Sequence, residues 1–321
     1  MSLVLDEEQL DDNDNYRGLI ERLSRQSVDK HFDAYADIAW DAPEMQIDPT
    51  DPRWETFDDD PVAETDWYKG LSQAERSSIG LHRVVTAMKI GVQFESVLKR
   101  GLLDYATTLP NNSPEFRYLY HEVIEEAQHS LMFQEFINRS GFDPPGLPWD
   151  MRLGSRAVVL TARFFPPLFF LFVLGGEDPI DYTQRRQLRS GAESHPLLER
   201  IMRIHVTEEA RHLSFARHYL RHEVPKLGRV RRLVLSVAAP LLLGEMAQQM
   251  LLPPEKLLRQ HGLPKGVRLR KELDMTQAQQ FVKDSVGKVR RLCVELGLVT
   301  QVSKPLWKRV GLWDEPKAPT H

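Results

Sequence analysis

The sequence is almost without cysteine, since its 321 residues include only Cys293. An intramolecular disulfide and a cysteine-based metal cluster are therefore excluded, and a reducing, cytoplasmic compartment is expected. Long hydrophobic runs are also missing. The longest stretch without a charged residue covers 164–176 and contains two prolines, whereas a membrane-spanning helix needs about 20 apolar residues. The first residues, MSLVLDEEQLDD, lack the basic and apolar regions of a secretion signal, so we expect neither secretion nor a membrane-embedded protein.

Charge of one sign is not in large excess, because the net charge is only −4. Nucleic acid and anionic membranes are therefore not expected as main partners. The charge is unevenly distributed, however. Residues 1–70 contain twenty acidic and six basic residues, and their Asp-Pro pairs are typical of loops. We predict a partly ordered acidic arm over 1–70, with short helices near 16–26 and 28–38.

From residue 72 onward, apolar residues recur with the spacing of an α-helix, and no useful β-alternation is present. The pattern predicts helices at 72–105, 114–139, 152–175, 178–191, 194–222, 229–250 and 275–297. Prolines at 166–167 and at 240 are expected to kink or restart their helices. The predicted fold class is all-α, with a helical bundle over 71–300 and a C-terminal tail over 301–321.

The most informative feature is a repeated segment, EEAQH ending at His129 and EEARH ending at His212. Each copy contains Glu-x-x-His, and this spacing places the Glu and the His on the same face of a helix. A Glu and a His placed in this way can bind one metal ion while the carboxylate bridges to a second. The repeat therefore predicts Glu126 and Glu209 as metal ligands together with the two histidines.

Di-iron carboxylate bundles add one further glutamate before each motif. Glu95 lies in the apolar context IGVQFESVL, and Glu177 follows the apolar run that ends in Gly-Gly; Asp178, Asp181 and Glu193 are nearby alternatives to Glu177. Four carboxylates balance the charge of two divalent ions, which matters in a dry core because unpaired buried charge is strongly penalised. Oxygen and imidazole donors suit iron or manganese better than zinc.

Three residues of the repeat have more than one interpretation. His205 lies four residues before Glu209 and shares its helix face, so it is either a third imidazole ligand or a core histidine bonded to a carbonyl or carboxylate. Glu125 and Glu208 lie one position off the ligand face. They are either surface residues or groups that contact the ligands from outside.

Taken together, these residues resemble the p-aminobenzoate N-oxygenase family, di-iron enzymes with a ferritin-like core. The family's pattern is a lone Glu, then Glu-x-x-His, another lone Glu, and finally His-x-x-x-Glu-x-x-His. Seven residues of this chain match the pattern in order and are the predicted metal ligands: Glu95, Glu126, His129, Glu177, His205, Glu209 and His212. The resemblance favours ligation by the extra histidine, which most ferritin-like di-iron proteins lack.

The resemblance implies an oxidoreductase that uses O2 to oxidise a small aromatic amine through the hydroxylamine toward the nitro compound. It also implies two iron ions, or a mixed manganese–iron pair, an external electron donor or reductase, and a homodimer. Three alternatives stay open: a di-iron hydroxylase or desaturase that acts on carbon, a metal-binding helical bundle without enzymatic activity, and a structural helical protein without metal.

The sequence does not identify the residues that line the substrate pocket. The aromatic stretch at 164–172 either lines a pocket or belongs to the core, and Leu241–Met246 fits a pocket wall or a dimer interface equally well. Arg163 and Arg211 lie near the motifs and are candidates for holding an acidic substrate group, but neither is assigned that role. Three basic clusters after residue 225 are expected to be solvated faces or a docking site for an acidic electron-transfer partner.

Overall fold

The computed structural model describes residues 7–56, 60, 62–191, 193–252, 254–265 and 275–313. All regular structure in these ranges is helical, which confirms the predicted all-α fold class. The α-helices, in chain order, are α1 Glu7–Asp29, α2 Asp66–Lys69, α3 Gln73–Ala106, α4 Pro114–Ser140, α5 Trp149–Phe164, α6 Pro166–Arg189, α7 Pro196–Glu223, α8 Arg229–Leu251, α9 Glu255–Gln260, α10 Met275–Ser285, α11 Gly287–Glu295 and α12 Lys304–Arg309.

Four long helices form the central bundle. Helix α3 packs along α4, α6 packs along α7, and α4 contacts α7 across the bundle. Helix α5 connects the two pairs and lies against α3 and α6, while α1 covers α4 and α7. The C-terminal helices α8, α10 and α11 pack on α6, and α12 packs on α8. Among the described residues, no helix is long and apolar enough to cross a membrane.

The ends of the bundle helices follow local sequence signals. Ser72 and Glu75 form a capping box that begins α3, in which each side chain bonds the backbone N–H of the other. Pro114, Pro166 and Pro196 occupy first-turn positions of α4, α6 and α7. Proline suits these positions because its fixed φ matches a helix and its missing N–H would have no partner there.

The predicted boundary between 175 and 178 is wrong, and the predicted helix at 275–297 is divided into α10 and α11. Helix α5 ends before Phe165, which is not helical. Helix α6 then runs without interruption through Pro179, so the predicted break between 175 and 178 is absent. The residue before a proline is disfavoured in the helical conformation, so Pro166 ends α5 and begins α6. The predicted restart at the first proline pair is thus confirmed, whereas Pro240 lies inside the continuous helix α8.

The N-terminal segment is more ordered than a loop-rich arm would be. Helix α1 covers the predicted helix at 16–26, but the predicted helix at 28–38 is replaced by turns after Asp29. In this turn region the Asp33 carboxylate accepts hydrogen bonds from the backbone N–H groups of Tyr35 and Ala36. Such side chain–backbone bonds compete with helix formation. The division into an arm, a bundle and a tail remains a prediction.

The bundle core consists of two apolar layers. The first layer packs around five large side chains, Tyr118, Phe169, Phe170, Phe215 and Tyr219. The second layer packs around Trp54, Leu81, Met132, Phe136 and Ile201. On α3, α4 and α7 the chain passes from one layer to the other, and the polar motif residues lie between them. The fold therefore places the motifs at mid-height of the bundle, between two apolar layers.

Candidate metal centre

The structure brings all seven predicted ligands together. Every one of them is at most 4% exposed, and they come from four helices: α3, α4, α6 and α7. Three sets of residues each offer one ligand atom per residue, with those atoms within 4.8 Å of one another. The sets are Glu95 with His129 and His205, Glu126 with Glu209 and His212, and Glu177 with His205 and Glu209.

The two motif glutamates lie between the two motif histidines. His212 Nδ1 is 3.0 Å from Glu126 Oε1 and 3.1 Å from Glu209 Oε1. His129 Nδ1 lies 3.6 Å from Glu126 Oε2 and 3.7 Å from Glu209 Oε1. Both carboxylates thus face both imidazoles, which is the arrangement that a pair of bridging carboxylates requires.

The far side of each histidine ring contacts a glutamate of the other motif. His129 Nε2 lies 2.9 Å from Glu208 Oε2, and His212 Nε2 lies 2.7 Å from Glu125 Oε2. A carboxylate can only accept, so each Nε2–H donates, and the Nδ1 of each ring is the nitrogen that lies beside Glu126 and Glu209 and would bind a metal ion. Carboxylate–histidine–metal arrangements orient their ligands in the same way.

Glu125 and Glu208 are therefore not surface residues; both are buried. Arg211 joins them, since its Nη2 lies 2.8 Å from Glu125 Oε1 and 3.6 Å from Glu208 Oε1. The backbone N–H of Phe32 also donates to Glu208 Oε1 at 3.2 Å. The N-terminal segment is thus part of the support of the centre, a contact that the sequence analysis missed because no sequence pattern signals it.

Glu177 is the member of its acidic group that reaches the centre. Asp178 pairs with Arg217, Asp181 pairs with Arg185 at 2.5 Å, and Glu193 is exposed. Glu95 accepts a hydrogen bond from Ser130 Oγ at 2.6 Å. The three alternatives to Glu177 are therefore occupied elsewhere or point to solvent.

Lys99 is a second residue that the sequence analysis missed. Its Nζ lies 3.8 Å from Glu95 Oε2 and donates to the carbonyl of Glu126 at 2.8 Å. The signal was present, since Lys99 follows Glu95 by four positions on one helix face. The same ammonium group also bonds Ser130 Oγ, so α3 and α4 are tied together beside the centre.

Several buried atoms of the centre have no hydrogen-bond partner among the described residues. They belong to five of the predicted ligands: Glu95 Oε1, both carboxylate oxygens of Glu126, His129 Nδ1, His205 Nδ1 and Glu209 Oε2. Unsatisfied buried polar atoms are costly. Atoms that face one another and are all electron-pair donors are satisfied by cations, so the donor set fits metal ions.

The electrostatics of the centre also favour bound cations. Burial, together with the charge of Glu126, raises the pKa of Glu95 to about 8. Burial raises the pKa of Glu177 well above its usual range, with the charge of Glu209 as the next cause. Burial opposes a charged His129, but its contacts with Glu126 and other carboxylates outweigh burial and hold its pKa well above the ordinary value. These three groups therefore hold protons in the absence of metal, and metal ions that bind there would displace those protons.

The extra histidine behaves differently. Burial and the neighbouring His129 hold the pKa of His205 well below its ordinary value. His205 is therefore neutral, which is the form that binds metals. Its ring centroid lies 4.6 Å from that of His129, and its Nε2 lies 3.8 Å from Glu209 Oε1. Its position favours the ligand interpretation over that of a core histidine bonded to a carbonyl.

A cavity of about 160 Å³ reaches one side of the centre, and we call it the inner chamber. Three of the seven residues line it, namely Glu95, Glu177 and His205, and most of its other wall is apolar, including Phe94 and Phe133. The other four predicted ligands do not line it. The centre is thus approached from the side of the extra histidine.

The aromatic stretch at 164–172 lines neither this chamber nor a larger cavity of about 460 Å³ that lies next to it. Phe169 and Phe170 are fully buried in the first apolar layer, as the core interpretation predicts, whereas Phe164 is 66% exposed and belongs to neither the core nor a chamber. Neither Arg163, which contacts Thr107 on the surface, nor Arg211 lines a chamber.

The chain is similar to proteins of one family along most of its length. The family model described as P-aminobenzoate N-oxygenase AurF matches residues 13–297. Uncharacterized protein Rv0885 of Mycobacterium tuberculosis (strain ATCC 25618 / H37Rv) is 39% identical over 305 residues, which are 95% of this chain and 90% of that protein. Uncharacterized protein Mb0909 of Mycobacterium bovis (strain ATCC BAA-935 / AF2122/97) matches with the same identity and coverage. No solved structure matches the chain.

Proposed function

The chain belongs to the p-aminobenzoate N-oxygenase family, whose members have a ferritin-like di-iron bundle, and on that premise we propose that it is a di-iron oxygenase. Its reaction is the O2-dependent oxidation of an aromatic amine nitrogen to the hydroxylamine and on toward the nitro compound. The observation that carries the proposal is the buried centre, where facing Glu and His atoms lack partners and an apolar chamber of ring size opens onto it.

Seven side chains would hold the two metal ions. One ion would be bound among Glu95, His129 and His205, and the second among Glu126, Glu209 and His212. Glu177 lies beside Glu209 and His205 and completes the set. Iron supplies the redox chemistry with O2 that these side chains cannot perform. A manganese–iron pair has the same ligand preferences.

The chain itself orients the reactants and excludes water. The two apolar layers lie on both sides of the centre along the bundle, and the inner chamber provides an approach along Glu95, Glu177 and His205. An amine in this chamber would lie between Phe94 and Phe133 with its nitrogen toward the centre. Exclusion of water protects a reactive oxidant from side reactions.

Oxidation at carbon, as in a hydroxylase or desaturase, is the second candidate. One observation favours it: the inner chamber adjoins a larger cavity, and the two together are long enough for an acyl chain. A metal-binding bundle without enzymatic activity is the third candidate, and the arylamine assay below separates it from the oxygenase. Electrons from an external donor, a homodimer and a cytoplasmic location remain proposals, the last based on the single, buried Cys293.

The proposal is tested with protein that is loaded anaerobically with iron, desalted, and given O2, a reductant and a panel of arylamines. We expect hydroxylamine or nitro products by mass spectrometry. Glu126→Ala and Glu209→Ala should lose one or both irons and all product while keeping their helix content. The matched control is Glu199→Ala, which removes a surface glutamate of α7 paired with Arg203. Unchanged iron and turnover in either centre variant would refute the site.

A further inference from the structure

A second, larger cavity joins the inner chamber, and we call it the outer chamber. Its volume is about 460 Å³. The two chambers share wall residues from α3 and α6, among them Val84, Ala87, Ile180 and Thr183. The two chambers are therefore adjacent, and together we call them the substrate space, whose inner end lies at the metal centre.

Two helices line this space along most of its length. On α3 the wall runs from Arg83 in the outer chamber through Ala87 to Glu95 at the centre. On α6 it runs in the opposite direction, from Glu177 at the centre to Gln187. At 1.5 Å per residue, the Cα atoms of Arg83 and Glu95 are about 18 Å apart along the helix axis.

The volumes show that one aromatic ring fills only the first part of this space. An apolar cavity of about 150 Å³ accommodates a benzene ring, and the inner chamber has about the same size, 160 Å³. The outer chamber is nearly three times larger. A free aminobenzoate would leave it filled only by water, although much of its wall is apolar, as at Ile90, Leu198 and Phe281.

The far end of the space is cationic among the described residues. Three arginines line the outer chamber, against two carboxylates, Glu55 and Asp60. Arg53 forms a two-pronged ion pair with Asp51 through Nε and Nη2. Arg83 donates from Nη2 to Asp60 at 2.6 Å, but its Nη1 is buried and has no partner among the described residues. A guanidinium with free donors binds carboxylate or phosphate oxygens well.

We propose that the substrate is an elongated amphiphile whose oxidisable end fills the inner chamber and whose anionic end binds Arg83. The reacting end rests on the proposed function, whereas the length and the charge of the substrate rest on the two chambers. Arg83 is a specificity-determining residue in this account, because its guanidinium lies too far from the centre to contact the reacting nitrogen.

The experiment measures binding rather than turnover. Calorimetry with anaerobic, iron-loaded protein compares three ligands: 4-aminobenzoate, 8-(4-aminophenyl)octanoate and the carboxamide of the octanoate. We expect the octanoate to bind at least tenfold more tightly than either of the others. Arg83→Gln should bring the octanoate to the affinity of its carboxamide, and Arg83→Lys should restore part of the difference.

The matched control is Arg100→Gln, which removes an exposed guanidinium from the same helix and should leave all three affinities unchanged. Because acid and carboxamide are compared within each variant, a general loss of folding cannot mimic the result. Equal binding of acid and carboxamide by the wild type would overturn the proposal. So would 4-aminobenzoate binding as tightly as the octanoate.

The oxygenase function and the elongated anionic substrate can be refuted independently of each other. A protein that holds two irons and oxidises arylamines, but does not distinguish the octanoate from its carboxamide, would refute only the elongated anionic substrate. A protein that binds no iron, but prefers the octanoate in a manner that depends on Arg83, would refute only the oxygenase.

Discussion

Each motif histidine is held by a glutamate of the other motif. Glu125 precedes His129 by four positions, yet it bonds His212, and Glu208 bonds His129 in return. The sequence predicts that Glu126 and Glu209 share a helix face with the motif histidines, because i, i+3 spacing is a property of one helix, and the structure places both glutamates beside those histidines. It could not indicate the exchange of partners, since this depends on how α4 and α7 are placed relative to each other.

Glu208→Gln tests whether this exchange tunes the metals. The variant keeps the shape of the side chain but loses the negative charge that holds the Nε2–H of His129. We expect iron affinity to fall roughly 10- to 100-fold, as in other metal sites that lose an orienting carboxylate. Chelator competition measures it, with Glu199→Gln on the surface of α7 as control. Equal affinity in variant and wild type would mean that Glu208 has only a structural role.

His205→Ala should have a subtler effect than loss of a motif glutamate. We expect the remaining six predicted ligands to hold both irons, and the ion beside Glu95 and His129 to lose one imidazole. Mössbauer spectra of the iron-loaded protein should show one iron changed and the other nearly unchanged, at unaltered helix content. If neither iron changes, His205 is a core histidine and the third-imidazole interpretation is wrong.

At the scale of the elements, the N-terminal segment holds the start of α3 to the start of α7. A Cβ atom at Gly80 would lie 1.7 Å from the carbonyl oxygen of Trp54, so only glycine allows this approach of the two backbones. The Trp54 ring stacks on His195 at 4.3 Å, and His195 caps α7 by accepting from the N–H of Leu197.

Gly80→Ala should therefore destabilise the protein, although alanine is the better helix former. The clash forces the backbone at Trp54 away, and we expect the free energy of unfolding to fall by about 1–3 kcal/mol, as for other overpacked sites. Gly154→Ala is the control, because nothing lies within 4 Å of its added Cβ; it should stabilise α5 by about 1 kcal/mol. Denaturant unfolding measures both. Equal behaviour of the two variants would contradict the close packing at Gly80.

The sequence predicted the bundle helices well because their signals are local. Apolar periodicity and the prolines at the start of α4, α6 and α7 set most of their limits. The prediction of helix limits failed where a contact between two helices determines whether a helix continues. The glycines at 175–176 suggested a break, but Gly176 lets α6 pack closely on α3, since its Cβ would lie 2.1 Å from the Phe94 ring.

At the scale of the whole molecule, the chambers are the feature that the sequence could not reveal. Their walls join Arg83, Thr183 and Met250, which lie on three helices far apart in the sequence. The seven candidate ligands were found because each lies in a motif or in an unusual apolar context. The substrate space lacks such a motif, since any apolar side chain can form its wall.

A surface of α5 provides a test of the proposed homodimer. Trp149, Leu153, Leu160 and Phe164 recur on one side of the helix and are between 55% and 72% exposed. Exposed apolar stripes of this kind mark interfaces, and a second copy of the chain is the commonest partner. Light scattering should give the mass of a dimer, and Leu160→Glu should yield monomers. The control is Val28→Glu, a change at an exposed valine of α1. A wild-type monomer, or a dimer that survives Leu160→Glu, would contradict this interface.

The central claim is that the paired motifs bind two metal ions, and the metal content per chain tests it most directly. Protein loaded anaerobically with iron and desalted should retain about two irons per chain by elemental analysis, since the four carboxylates of Glu95, Glu126, Glu177 and Glu209 balance two divalent ions. Zero irons, or one loosely held ion, would mean that the repeat is structural and would contradict the oxygenase.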